Sequence, residues 1–214
     1  MTGTELVEVT RDYIEETAAD ITATVKIGRA LNASLKKWAA RIQRTASDYY
    51  FESASLTLSS GTRSEDLPSD CSGLIHSLED ENGLPVGRGR FKDFYINATG
   101  TPSKMSIKGN AIVFNSKPSS DVVYTLHYYR VPTVITTNGS TEVDFPKLSH
   151  NLLALDAALQ MSIRNNDVER IQGLASLRKE AESFLMAELE DRIKGLPRRI
   201  RMAWSLGRSS GETI

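Results

Sequence analysis

The chain has 214 residues, 26 of them basic and 27 acidic, with 40% hydrophobic and 25% charged side chains. That balance belongs to a globular chain rather than a disordered one, and a net charge of −1 excludes a global attraction to nucleic acid or to an anionic membrane. The single cysteine, Cys71, excludes an intrachain disulfide, and no apolar run approaches the roughly 18 residues that a membrane span needs.

The opening stretch "MTGTELVEVTRDYIEETAAD" lacks the basic and apolar regions of a secretory signal. The expectation is work in the cytoplasm, or in something assembled there. Thr2 followed by Glu5 fits a capping box, and Leu6, Val9 and Tyr13 continue at helical spacing, with Ala18 and Ile21 as possible continuations. The β-branched "ITATV" at 21–25 weakens helix there. Ile27, Leu31, Leu35, Trp38 and Ile42 then mark a second, amphipathic helix with Lys36, Lys37 and Arg41 on its other face.

The period changes to two after "TASDYY". "ASLTLSS" sets Leu56 and Leu58 on one face, "GTRSEDLPSD" reads as loop, and Asn82-Gly83 signals a hairpin. "FKDFYINA", "KMSI" and "AIVF" are strand candidates, the last two joined by Gly109-Asn110. In "DVVYTLHYYRVP" Val122, Tyr124, Leu126 and Tyr128 share one face, the alternate residues form a half-polar face, and Pro132 ends the strand. The region near 52–135 is therefore expected to be a small antiparallel β domain.

Helix returns after "VDFPKL", with Pro146 in the first turn and a stripe of Leu148, Leu152, Leu155, Leu159 and Ile163. Asn166 with Glu169 reads as a second capping box. It opens a helix whose apolar face is Val168, Ile171, Leu174, Leu177, Ala181, Leu185, Leu189 and Ile193. The short "RNND" connection makes these two helices an antiparallel pair, and Gly195 and Pro197 close the last one. The expected helices lie near 4–20, 26–46, 146–164 and 167–194.

Catalytic and metal motifs are lacking. His76, His127 and His150 stand without partners at metal-ligand spacing. There is no phosphate loop, nucleophile elbow or H-E-x-x-H, "VGRGRF" at 86–91 lacks the strand-then-helix setting of a dinucleotide loop, and Cys71 has no activating basic neighbour. The sequence points to no catalytic residue, cofactor or metal. Lys36, Lys37, Arg41 and Arg44 form a basic helix face that could meet a neighbouring subunit or DNA. At the other end Arg198, Arg199, Arg201 and Arg208 surround Ile200, Trp204 and Leu206, an apolar strip with no partner segment left in the sequence.

Four phrases in this order resemble the head-to-tail adaptor (connector, or neck) proteins of tailed bacteriophages: "ALNASLKKWAARI", "LTLSSGTRSEDLPSDCSGLI", "GNAIVFNSKPSSDVVYTLHYYRVPTV" and "FPKLSHNLLALDAALQM", the last followed by a long helix. The resemblance covers residues from about 4 to 195, with Cys71-Ser72 standing where bulkier apolar residues are expected. It implies a structural virion protein, assembled in the host cytoplasm. The protein would form a homo-oligomeric ring of twelve copies beneath the portal protein, carry the channel for double-stranded DNA onward without reading its sequence, and offer a platform to tail or nozzle proteins. By the same resemblance residues 196–214 form a portal-docking arm of Leu196, Arg198, Arg199, Ile200, Arg201, Trp204, Leu206 and Arg208. The fold expected is α+β: a helical bundle domain from 1–50 and 140–195, an inserted antiparallel β domain at 51–139, and the C-terminal arm. Two other readings stay open on the residues, a DNA-binding regulator and a small enzyme.

Overall fold

Thr2 starts the first helix as its spacing requires. Its side chain accepts from the Glu5 backbone N–H, and the Glu5 carboxylate accepts in return from Thr2 N at 2.8 Å, so two of the end's free donors are satisfied reciprocally. The computed structural model describes residues 1–15, 21–45, 48–95 and 98–194. Among these it is a mixed α and β protein of four helices and two sheets. The described residues before Asp48 and after Pro132 make one compact unit, and Asp48–Pro132 make the other.

The first unit holds α1 (Gly3–Ile14), α2 (Ile21–Thr45), α3 (His150–Arg164) and α4 (Val168–Lys194). Helix α1 stops earlier than its apolar spacing suggests, because Glu15 turns left-handed (φ 52°) and its N–H closes on Arg11 and Asp12 carbonyls. Helix α2 starts earlier than expected and takes in the β-branched "ITATV". The propensity cost of such residues is only a few tenths of a kcal/mol each, and burial of Ala23, Ile27, Leu31, Leu35, Trp38 and Ile42 along one stripe outweighs it. Helix α3 packs against the other three helices and is buried on most sides.

Three local expectations for this half are corrected. Pro146 precedes a 3-10 turn (Lys147–Ser149) rather than sitting in the first turn of α3. The cap of α4 is Asp167, whose carboxylate accepts from Arg170 N at 3.2 Å, while Asn166 takes the left-handed turn (φ 56°) that lets the chain reverse. The leucine stripes are only partly buried: Leu152, Leu155, Leu174, Leu185 and Leu189 are inside, but Leu148, Ile163, Val168 and Leu177 are exposed. On α4, Leu174, Leu185 and Leu189 fall in one angular sector that α3 covers. Leu177 and Phe184 lie about a quarter-turn away, outside it.

The second unit is built from β1 (Phe51–Leu58), β2 (Ser64–Asp66), β3 (Cys71–Glu79), β4 (Gly87–Arg88), β5 (Lys104–Lys108), β6 (Ala111–Phe114) and β7 (Val122–Arg130). β7 lies between β1 and β3 in an antiparallel three-stranded sheet, and a second sheet runs β2-β6-β5-β4. The expected alternation holds in β7: Tyr124, Leu126 and Tyr128 are buried with Leu56, Leu58, Leu78, Ile112 and Phe114, whereas Val123 is exposed. Gly109 supplies the positive φ (61°) of the β5–β6 turn.

Three sequence expectations fail here. The supposed loop at 61–70 contains β2, which pairs with β6. The strand candidate at 91–98 begins instead as a 3-10 turn (Phe91–Asp93). The Asn82-Gly83 turn forms, with Asp80 Oδ1 accepting from the N–H groups of Asn82 and Leu84, both at 2.9 Å. Its return limb closes a short hairpin on the end of β3, with Glu79 opposite Pro85, Asp80 N donating to Leu84 O at 2.9 Å and Val86 N donating to Leu78 O at 2.7 Å. The chain then enters β4, which runs parallel to β5 and is therefore an exception to the antiparallel expectation.

Candidate assembly surfaces and side-chain clusters

The basic face of α2 is where sequence placed a possible contact with DNA or with another subunit. Its members part company in the structure. Lys36 and Arg44 are exposed. Lys37 Nζ lies 2.9 Å from Asp156 Oδ1, and Arg41 pairs with Glu182. Asp156 belongs to α3 and is almost wholly buried, yet Ser34 Oγ donates to it at 2.9 Å, Gln160 Nε2 at 3.3 Å and Arg178 Nε at 2.7 Å. Burial pushes its carboxyl up, but hydrogen bonding and charge from Lys37, the Ser34 hydroxyl and the Arg178 charge outweigh that and hold it below the usual carboxylate range. The fully buried Trp38 completes the cluster, with Lys37, Arg41 and Arg178 at 5.2, 5.3 and 5.5 Å from its ring. The cluster ties three helices together, and two of the four sequence-predicted cations are engaged in it.

A second cluster escaped sequence reasoning. Ser53 Oγ is 2.7 Å from His127 Nδ1, and His127 Nε2 is 3.5 Å from Glu79 Oε2. The register explains the meeting, since Ser53 on β1 stands directly across from His127 on β7, and Glu79 lies on β3 at the other side. A Ser–His–Glu chain has the connectivity of a hydrolase relay. Here Ser53 is exposed on an outer sheet face and Phe51 stacks on the His127 ring (5.8 Å, 5° between planes). The 3.5 Å separation of His127 from Glu79 is longer than a hydrogen bond, so the three side chains read as cross-strand neighbours rather than an oriented relay. The only sequence signal was the strand register, which composition does not reveal.

The remaining candidates are structural. His150 is buried: Phe145 O accepts from its Nε2 at 2.9 Å, and Met1 N lies 2.6 Å from its Nδ1. Burial depresses its pKa, and the charge of the Met1 ammonium acts in the same direction. His76 is exposed and meets the Phe51 ring edge-on at 5.5 Å. Burial raises the Cys71 thiol and the nearby Gly73 backbone lowers it, with a net upward shift that disfavours the reactive thiolate. No group of three or more His, Cys, Asp or Glu among the described residues is placed to hold a metal ion, and no described helix is long and apolar enough to cross a membrane. Residues 196–214, the expected docking arm, lie outside the described residues.

The helical unit also carries exposed apolar surface. Leu148, Leu177 and Phe184 border a groove floored by Leu152 and Leu155, with Tyr13 and Ala181 at its sides. Contiguous apolar surface of this kind marks contact sites more often than catalytic ones. The SU10 adaptor protein family matches residues 1–208. The chain belongs to that family. Membership bears out the resemblance to head-to-tail adaptors seen in the sequence. No curated protein matches the chain.

Proposed function

We propose that this adaptor-family chain is a structural head-to-tail adaptor of a tailed bacteriophage, acting by assembly rather than catalysis. The observation that carries the reading is the family match over residues 1–208, nearly the whole chain. In this reading copies close into a ring, twelve in number, beneath the portal at the capsid vertex. The ring extends the DNA channel and gives tail or nozzle proteins a platform. In this reading the four helices form one bundle, within the unit of Met1–Ser47 and the residues from Thr133 onward, and Asp48–Pro132 is a β domain inserted into it, the latter a contact surface for neighbours or tail components. The net charge of −1 suits a conduit through which DNA slides, because each phosphate contact would add binding free energy and hold it back.

Residues 196–214 dock on the portal in the same proposal. Trp204 and Ile200 supply the apolar anchor, with Leu196 and Leu206 beside them, and Arg198, Arg199, Arg201 and Arg208 fix register through partner carboxylates. The test removes residues 196–214 and scores two properties separately, cooperative unfolding of the subunit and its attachment to portal-bearing heads. Intact folding with lost attachment is the expected result. Unchanged attachment discards the arm, and a wild-type protein that never joins heads discards the adaptor reading as a whole.

A further inference from the structure

Leu148 is 85% exposed and Phe184 63% exposed, and they project side by side from the α3–α4 flank of the helical unit. Glu180 and Glu188 stand at the edges of this apolar ridge and groove, and Glu188 accepts from Ser149 Oγ at 3.0 Å. Arg192 is also there, with a partner of its own. The same unit carries a second apolar feature of opposite form and charge. Between α2 and the segment 133–137 lies a cavity of about 540 Å³ lined by Val25, Gly28, Ala33, Val134 and Ile135, with Thr137 lying over Gly28. Val134 is 63% exposed. Arg29 and Lys36 rim this hollow, and neither forms an ion pair with a described residue.

The placement keeps one copy from joining its own two features. On α2, Val25, Arg29 and Lys36 lie half a turn around from Leu31, Ser34 and Trp38. The latter side faces α3, as the Ser34–Asp156 hydrogen bond shows. The hollow therefore opens on the side of α2 away from α3, whereas the ridge stands on the α3–α4 flank. Gly28 is required for the hollow's shape, because a Cβ there would come within 2.5 Å of the Thr137 side chain and push the 133–137 segment outward.

We propose that the ridge of one copy, Leu148 and Phe184, seats in the Gly28–Ala33 hollow of a second copy, with Glu180 and Glu188 facing the neighbour's Arg29 and Lys36. The occupant of the hollow is thus another copy of this chain. Because the two surfaces differ, the contact is head-to-tail, and such a contact repeats from copy to copy until a ring closes. Opposite charges at the rims set which surface meets which, while the apolar knob and hollow exclude water between them. The inference rests on the ring-forming adaptor reading and specifies the surfaces that build the ring.

The test uses full-length protein in which Cys71, the sole cysteine, is replaced by serine. One variant carries Phe184→Cys and another Ala33→Cys; both positions are exposed, so both variants should fold, which circular dichroism checks. A short bismaleimide should link the two variants when mixed and link neither to itself. Self-linking of the Phe184→Cys variant would mean a two-fold contact and overturn the proposal, as would failure of the mixture to link under conditions where wild-type protein assembles. A companion measurement mixes Phe184→Glu with Ala33→Glu and weighs the product by sedimentation. Each variant keeps one good surface, so growth should stop at two copies. If wild-type protein forms rings, alone or on heads, and both glutamate variants do so unhindered, this interface is wrong and the adaptor ring stands. If wild-type protein assembles in neither setting, the ring reading fails and takes the interface with it.

Discussion

Lys37 and Asp156 meet at 2.9 Å, joining α2 to α3 through a carboxylate that is 2% exposed. The lysine is half in solvent, and its ammonium also lies over the Trp38 ring at 5.2 Å, a cation–π contact that adds to the ion pair. A basic residue that looks like free surface in the sequence is thus part of the packing.

Removing the acid should be far worse than removing the lysine. Asp156→Ala leaves Arg178 Nε and the Ser34 hydroxyl without their buried acceptor and should cost about 3–5 kcal/mol in urea unfolding. Lys37→Met leaves Arg178 still paired with the carboxylate and should cost clearly less. Lys36→Ala, on the exposed side, should stay within about 0.5 kcal/mol of wild type. Equal losses for Asp156→Ala and Lys36→Ala would refute the buried-acceptor account.

His150 predicts a pH dependence with a definite sign. Its folded pKa is depressed, burial being the main cause, so the native state holds it neutral. The unfolded chain takes up a proton near pH 6.5. The unfolded state therefore binds more protons on acidification, and stability present above about pH 6.5 is lost as pH falls toward the folded value. Asp156, also depressed, adds a further loss at lower pH in the carboxylate range. Urea midpoints measured from pH 7.5 to 5.5 should fall for wild type and fall less for His150→Gln. A steeper decline in the variant would rule out His150 as the source.

How much of this was legible beforehand depends on the reach of each interaction. The stripe from Ile27 to Ile42, the Thr2–Glu5 cap and the alternation of β7 were readable because they repeat within one element. Asp156 was not, since within a leucine-rich helix it looks like an ordinary solvent residue. Its partners Ser34, Lys37 and Arg178 lie 122, 119 and 22 positions away. Leu177 was misjudged for a related reason: helical spacing shows that a face is apolar, not how wide a sector the neighbouring helix covers. The hollow over Gly28 depends on the segment at 133–137 lying against α2, a long-range approach that no local pattern announces.

That approach is held by one side chain. The Asn32 carboxamide accepts from Ile135 N at 2.8 Å and donates to Ile135 O at 3.0 Å, standing in for a strand partner, and donates also to Gly28 O at 2.9 Å. Asn32→Ala would leave the Ile135 N–H and C=O, next to a buried side chain, without that partner, at a cost of about 1–3 kcal/mol for each group that water fails to reach. Asn32→Asp keeps the acceptor and loses the donor, so it should fall between the two. Hydrogen exchange at Ile135 should accelerate in the order wild type, Asn32→Asp, Asn32→Ala. Unchanged protection in Asn32→Ala would show that the clip is dispensable.

The free protein should bind duplex DNA weakly. Of the four cations on the α2 face, Lys37 and Arg41 already hold Asp156 and Glu182, so turning either toward a phosphate means breaking a pair inside the protein. Releasing Lys37 is the costlier of the two, because Asp156 is buried and relies on it. Lys36 and Arg44 remain exposed, enough for about two phosphate contacts, and each contact contributes a slope of about 0.9 in the dependence of log affinity on log salt. Fluorescence anisotropy with a short duplex should therefore show a shallow salt slope, to which this face contributes about two at most, and affinity no tighter than the nonspecific range of roughly 10⁻⁴–10⁻⁶ M at physiological salt. Lys36→Ala should lower the slope by about one, whereas Lys37→Ala should leave it nearly unchanged while destabilising the fold. Sub-micromolar binding with a steep slope would instead mean that the internal pairs open to meet DNA, and it would favour a DNA-gripping protein over a smooth conduit.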